Sequence, residues 1–159
     1  MIAYDVYENL IVKRLEHPDW DVSPLPLIVH LNSAQERPKI HVIFSGSTFE
    51  DVANFGDFTQ NEPLTFEVLI YARTRDGERG VFAVAEEVIQ RLLKWKLLGA
   101  NLKISLTSFG YVEGIQNNWC YSLKFTFPRV RVMREETDDP KLITKVEHLF
   151  IDVVKNENV

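Results

Sequence analysis

LTFEVLIYARTRDGERGVFAVAEEVIQRLLKWKLLG, residues 64–99, carries two hydrophobic periods in succession. Over its first part Leu64, Phe66, Val68 and Ile70 fall on every second position, with Thr65, Glu67 and Tyr71 opposite them. That alternation is the mark of a long strand with one buried face. Asp76-Gly77 then supplies turn chemistry. After Gly80 the period changes. Val81, Ala85, Val88, Leu92 and Trp95 recur every three or four residues, Ile89 and Leu93 widen the stripe, and Gly99 stands where a helix C-terminus is expected. The segment therefore reads as strand, turn and amphipathic helix.

On the N-terminal side, KIHVIFSG (39–46) alternates Ile40, Val42 and Phe44 and closes at Gly46, which predicts a second strand with His41 on its polar face. Residues 47–62 between the two strands are polar and read as an exposed loop. Residues 20–39 hold Pro24, Pro26 and a polar run to Pro38, a mixture of strand or loop, short amphipathic piece and turn. The opening segment predicts a helix, with Ile2, Val6 and Leu10 at four-residue spacing beside Tyr7, Ile11 and Leu15, ended by Pro18.

On the C-terminal side KISLTSFGYV (103–112) is a strand, Asn117-Asn118 a turn, and WCYSLKFTFPRVRVM (119–133) the longest strand, with Trp119, Tyr121, Leu123, Phe125 and Phe127 on one face. Past Pro128 the apolar parity shifts to Val130 and Val132, so the strand is expected to bend there. Asp138-Asp139-Pro140 marks a boundary. The tail KLITKVEHLFIDVVKN fits a helix capped by Asp139 and a β-branched strand equally well. The order predicts an α+β fold, a mainly antiparallel sheet with two principal helices on one face. One domain spans residues 1–134, with a C-terminal extension over 135–159 that suits an inter-subunit arm.

The totals bound the function. At 159 residues the chain suffices for a core without disulfides or metal. Its net charge of −5 argues against wrapping a phosphate backbone over a broad surface. The single cysteine, Cys120, excludes an internal disulfide and multi-thiolate metal sites and suits a reducing cytoplasm. The N-terminus lacks the pattern of a signal peptide, and no stretch approaches the length of a membrane span.

The search for chemistry finds no convergent set. His17, His30, His41 and His148 show no metal-ligand spacing. Cys120 lies inside a strand between aromatics, away from the basic neighbour or helix N-terminus that activates a thiol. Glu86 and Glu87 point about 100° apart on their helix. The acidic residues Glu135, Glu136, Asp138 and Asp139 lack calcium-loop geometry and read as a solvated linker. FSGSTF (44–49) lacks the second glycine and the Gly-Lys-Ser/Thr ending of a phosphate loop. No catalytic, cofactor-binding or metal residue is expected. Two basic groups remain: Arg73, Arg75 and Arg79 around the Asp76-Gly77 turn, and Arg129, Arg131 and Arg134 at the end of the last strand. Arginine suits nucleic acid and acidic side chains across an interface alike; the net charge favours protein, so these six are the expected subunit or tube contacts.

Taken in order, Phe44-Ser45-Gly46-Ser47, Gln60 before LTFEVLIYAR, Gly80 opening a helix, LLGANLKISLTSFGYVE and WCYSLKFTFPRVRV form a familiar layout. With Gly46, Gln60, Arg73, Gly80, Gly110 and Trp119, residues 1–134 resemble a family of small proteins of Mu-like phages and prophages. That family is encoded among tail genes and related in fold to the tail terminators of long-tailed phages. The resemblance implies a non-enzymatic subunit without cofactor that forms a ring, usually hexameric, on the last ring of the tail tube. It implies the tail tube protein as partner, with sheath and head–tail connector beyond it in a contractile tail. It places the protein in the host cytoplasm during assembly and at the head-proximal end of the virion tail. Neither membrane nor sequence-specific nucleic acid is an expected partner. A neck or head-completion protein, or the terminator of a phage-derived injection device, is the nearest alternative. A monomeric small-molecule binder or enzyme using the cleft between helix and sheet is the more distant one.

Overall fold

In the computed structural model of the protein, residues 2–32, 36–51, 59–96 and 103–132 are described. The elements run α1 (Tyr4–Leu15), β1 (Asp21–Pro24), β2 (Lys39–Ser47), β3 (Thr59–Asn61), β4 (Leu64–Ala72), α2 (Val81–Leu93), β5 (Ser105–Ile115), β6 (Asn118–Phe127) and β7 (Val130–Val132). Five strands form one sheet in the order β1-β2-β4-β6-β5, and β3 and β7 pair in a second, two-stranded sheet. β1 lies parallel to β2, and the other pairs are antiparallel. The fold is the expected α+β class.

Register shows how alternation becomes a core. Ile40 stands opposite Ile70 and Val42 opposite Val68. Ile70 faces Tyr121, Val68 Leu123, Phe66 Phe125 and Leu64 Phe127. Directly paired residues share a face, so these apolar positions form one continuous surface. Both helices cover it. Tyr7 of α1 meets the rings of Phe66 and Phe127 at 6.3 and 5.3 Å, and Phe82 of α2 meets Tyr121 at 5.5 Å. The helices are tied to each other by the Arg14 Nε–H, which donates to the Arg91 carbonyl at 3.0 Å. At the centre Phe66 stacks on Phe127 at 5.3 Å.

Several expectations change in detail. The buried face of α1 is Tyr7, Ile11 and Leu15, whereas Val6 is exposed. The sheet's aromatic surface, not the spacing of the small aliphatics, selects which helix stripe turns inward. α2 ends at Leu93, closed by the Lys94 N–H on the Gln90 carbonyl and the Trp95 N–H on the Leu92 carbonyl; Gly99 lies outside the described residues. The loop expected over 47–62 contains a strand, Thr59–Asn61, and ends in the fully buried Glu62. The hairpin between β5 and β6 turns at Gln116-Asn117, one residue earlier than read, both with positive φ (48° and 61°). Two such residues twist the strands as a primed hairpin turn requires. His41 does not lie on a polar face: it is buried beneath the ring of Tyr71, 5.5 Å away.

The bend expected at Pro128 is a full break. β6 ends at Phe127, and β7 leaves the main sheet to pair with β3. Proline offers no N–H to a ladder, so the strand is released at that point. With eleven residues β5, not β6, is the longest described strand. The extension 135–159 and Arg134 lie outside the described residues.

Candidate functional site

The break after β6 builds one end of the molecule. Glu62 sits between β3 and β4 and continues the buried parity of Leu64, Phe66 and Val68, so its side chain enters the interior. Its backbone N–H donates to the Arg129 carbonyl at 2.7 Å, and the Arg129 N–H returns the bond at 3.2 Å. Arg129 then donates to Glu62 Oε1 through Nε and Nη2, at 3.1 and 2.7 Å, and through Nη1 to the Ile2 carbonyl at 2.7 Å. Arg131 adds Nε to the same Oε1 at 3.0 Å. The hydroxyls of Tyr4 and Ser47 donate to Oε2 at 2.6 and 2.8 Å.

This cluster binds α1, β2, β3 and β7 through one carboxylate. Burial by itself would raise the Glu62 pKa. The hydrogen bonds from Tyr4, Arg129, Ser47 and Arg131 overcome that and hold it at about 2. The Arg129 guanidinium also lies 4.7 Å from the Tyr4 ring centre, and that of Arg131 lies 5.6 Å from Phe49. Two cations share one anion here. Arg129, at 7% exposure, is taken up inside the chain, while Arg131 keeps about a third of its side chain in solvent. Sequence reasoning placed Glu62 in a polar loop. The signal that finds it is parity: positions 62, 64, 66, 68 and 70 all point inward.

The other arginine group lies at the opposite end of β4. Arg73, Arg75 and Arg79 are exposed and make no ion pair among the described residues. Arg75 lies 4.6 Å over the Trp119 ring, which holds its planar face and leaves its N–H edges outward. Arg73 and Arg79 line a cleft of about 370 Å³ with Glu36, Arg37, Pro38, Ala72 and Thr74. Arg79 makes a single long contact to the Glu36 carbonyl, 3.5 Å. The amides at the start of α2 are not open to a ligand, since Val81 and Phe82 donate to the Thr74 and Arg75 carbonyls.

A third feature is the outer edge of the five-stranded sheet. All of β5 up to Gly114 is exposed, and Leu106, Phe109, Tyr111 and Val112 bring large apolar side chains to it. The pairing with β6 slips twice, past Thr107 and past Val112.

On the second sheet face the His41 Nδ1 lies 3.0 Å from Ser23 Oγ, and its Nε2 has no hydrogen-bond partner among the described residues. Burial lowers the His41 pKa, with the Ser23 hydrogen bond opposing and Lys39 reinforcing the shift. Cys120 is buried on the same face. Burial pushes its thiol up to about 11, against a hydrogen bond with Tyr71 and with help from Glu113 and Glu67. Among the described residues no group of three or more His, Cys, Asp or Glu is placed to hold a metal ion. No helix among them is long and apolar enough to cross a membrane.

Compared with known families, the chain matches the model described as Gp37 protein over residues 11–149. No curated protein matches it.

Proposed function

Since the chain belongs to the Gp37 protein family, a family of phage proteins, we propose that it is a structural subunit of a phage or prophage tail, a terminator that caps the tail tube as a ring of copies and joins it to the head or neck. The role is architectural and involves no catalytic step. The observation that supports it most is the edge of β5. Eleven residues present unpaired backbone groups on one side, and among the described residues no strand covers them. Over Ser105–Ile115 the only charge is Glu113, and there is no proline or lysine, two of the devices by which a monomer keeps its edges from pairing. Strand addition from a neighbouring subunit would satisfy this edge and cover its apolar side chains.

A ring requires two different complementary patches on every copy, and the two ends of the fold differ in chemistry as such an interface needs. A neck or head-completion role, or termination of a phage-derived contractile injection device, uses the same surfaces with a different neighbour. Native mass spectrometry over a concentration series, with and without the tail tube protein of the same phage, tests the reading. A closed ring is expected, alone or at tube ends. Lysines replacing Leu106 and Val112 should reduce it while leaving the circular dichroism spectrum unchanged. A monomer indifferent to the tube would overturn the proposal.

A further inference from the structure

We infer that the arginine end of one copy, Arg73, Arg75 and Arg79, receives the acidic segment Glu135–Asp139 of a second copy. The inference rests on the ring reading above and names the contact that would close it. Residues 135–159 hold seven acidic and three basic residues, net −4 of the chain's −5, which leaves residues 1–134 at −1. Four of those carboxylates, Glu135, Glu136, Asp138 and Asp139, fall within five positions. Against them stand three exposed arginines without ion pairs among the described residues, two of them lining an open cleft. Carboxylates match the planar donor edges of arginine, and Trp119 pre-orients one of these edges. Asp76 and Glu78 lie in the same turn, so the surface accepts a narrow acidic strand more readily than a broad polyanion.

Reach decides that the donor is another copy. The described residues end at Val132, paired with Thr59, close to the end of the sheet where Leu64 meets Phe127. Arg73 follows the opposite end of β4, nine residues past Leu64 along the strand, or about 30 Å at roughly 3.3 Å per residue. Glu135 lies three residues past Val132 and Asp139 seven, so their reach is at most about 10 and 25 Å. Glu135 and Glu136 fall well short of their own arginine end, and Asp139, even with every residue fully extended in one direction, stops about 5 Å short of it at the backbone. A head-to-tail neighbour removes the mismatch. Acidic exit and arginine end then become the two unlike halves of a heterologous interface.

The test uses full-length chains and two separate readouts. A labelled peptide of residues 133–141 is titrated into the E135Q/E136Q/D138N/D139N variant, whose own segment no longer competes. Assembly of each variant is followed by native mass spectrometry. The peptide should bind, weaken about tenfold between 0.05 and 0.5 M salt as exposed ion pairs do, and lose binding when R73E/R75E/R79E is added. Each charge variant alone should fail to assemble, and a chain carrying R73E/R75E/R79E with E135K/E136K/D138K/D139K should assemble again. A peptide that does not bind, while the unaltered chain still forms rings, overturns this contact and leaves the ring reading standing. An oligonucleotide that binds through the same arginines where the peptide does not would overturn it too. An unaltered chain that stays monomeric with tube present removes the ring and this contact together.

Discussion

Replacing Glu62 with glutamine should remove a large share of the protein's stability and most of one distinct step in its pH dependence. The carboxylate is fully buried and accepts hydrogen bonds from Arg129, Arg131, Tyr4 and Ser47. Its pKa falls from 4.5 to about 2 on folding, and at about 1.4 kcal/mol per pH unit this corresponds to about 3 kcal/mol. Glutamine keeps the shape but leaves the Arg129 guanidinium buried without its counter-charge, a loss of about 3–5 kcal/mol for a broken buried pair. The two routes agree, and either is a sizeable part of the about 5–15 kcal/mol that holds a domain together. The folded pKa is the lower one, so the contribution is complete above about pH 4.5 and is lost as the pH falls towards 2. Urea unfolding of the unaltered chain and E62Q at pH 7, and again at steps from pH 5 to 2, measures both effects. The gap between the two should be about 3 kcal/mol at neutral pH and should narrow across that window. A gap below about 1 kcal/mol at pH 7, or one that stays constant from pH 5 to 2, would refute the reasoning. E62M/R129M, which removes both buried charges together, should recover most of the loss.

Gly80→Ala should cost about 2 kcal/mol in thermal unfolding, because a Cβ there would stand 2.4 and 2.5 Å from the Asp76 and Arg75 carbonyl oxygens; a change within about 0.5 kcal/mol would mean that the turn gives way easily. Asn117→Gly should stabilise by about 1 kcal/mol, since Asn117 is held at φ +61° in the hairpin turn, and a loss of stability would show that its side chain matters more than its backbone. The Cys120 thiol is buried and raised to about 11, so at pH 8 the native chain should react with a disulfide reagent at least about a hundredfold more slowly than the urea-unfolded chain. Rapid native labelling would place that sulfur at the surface.

The comparison with the Gp37 protein family extends to residue 149, beyond the region whose layout resembled phage tail proteins at the level of sequence. What that resemblance implies about a ring, its tube and its position in a virion is the substance of the proposal. The features that bear on it are spread over three surfaces: an arginine end, an exposed strand edge and a clamped end from which the chain continues.

Much of this protein is determined by its sequence alone, wherever the physics is local. The alternation from Leu64 to Ile70, the three-to-four period after Gly80 and the parity shift at Pro128 each depend on neighbours a few residues away, and β4, α2 and a bend at Pro128 follow from them, though not the full break that sends β7 to another sheet. The exposed Arg73, Arg75 and Arg79 could likewise be read from a polar turn. The tertiary structure decided what depends on partners far along the chain. Val6 and Tyr7 are both apolar, and only the aromatic sheet surface under α1 selects Tyr7. Arg129 and Arg131 read as one surface group with Arg134, yet Glu62, sixty-seven residues before Arg129, draws Arg129 inside and leaves about a third of Arg131 in solvent. A buried charge is stable only where its counter-charge meets it, and the pairing of β3 with β7, invisible to any local period, makes that meeting happen.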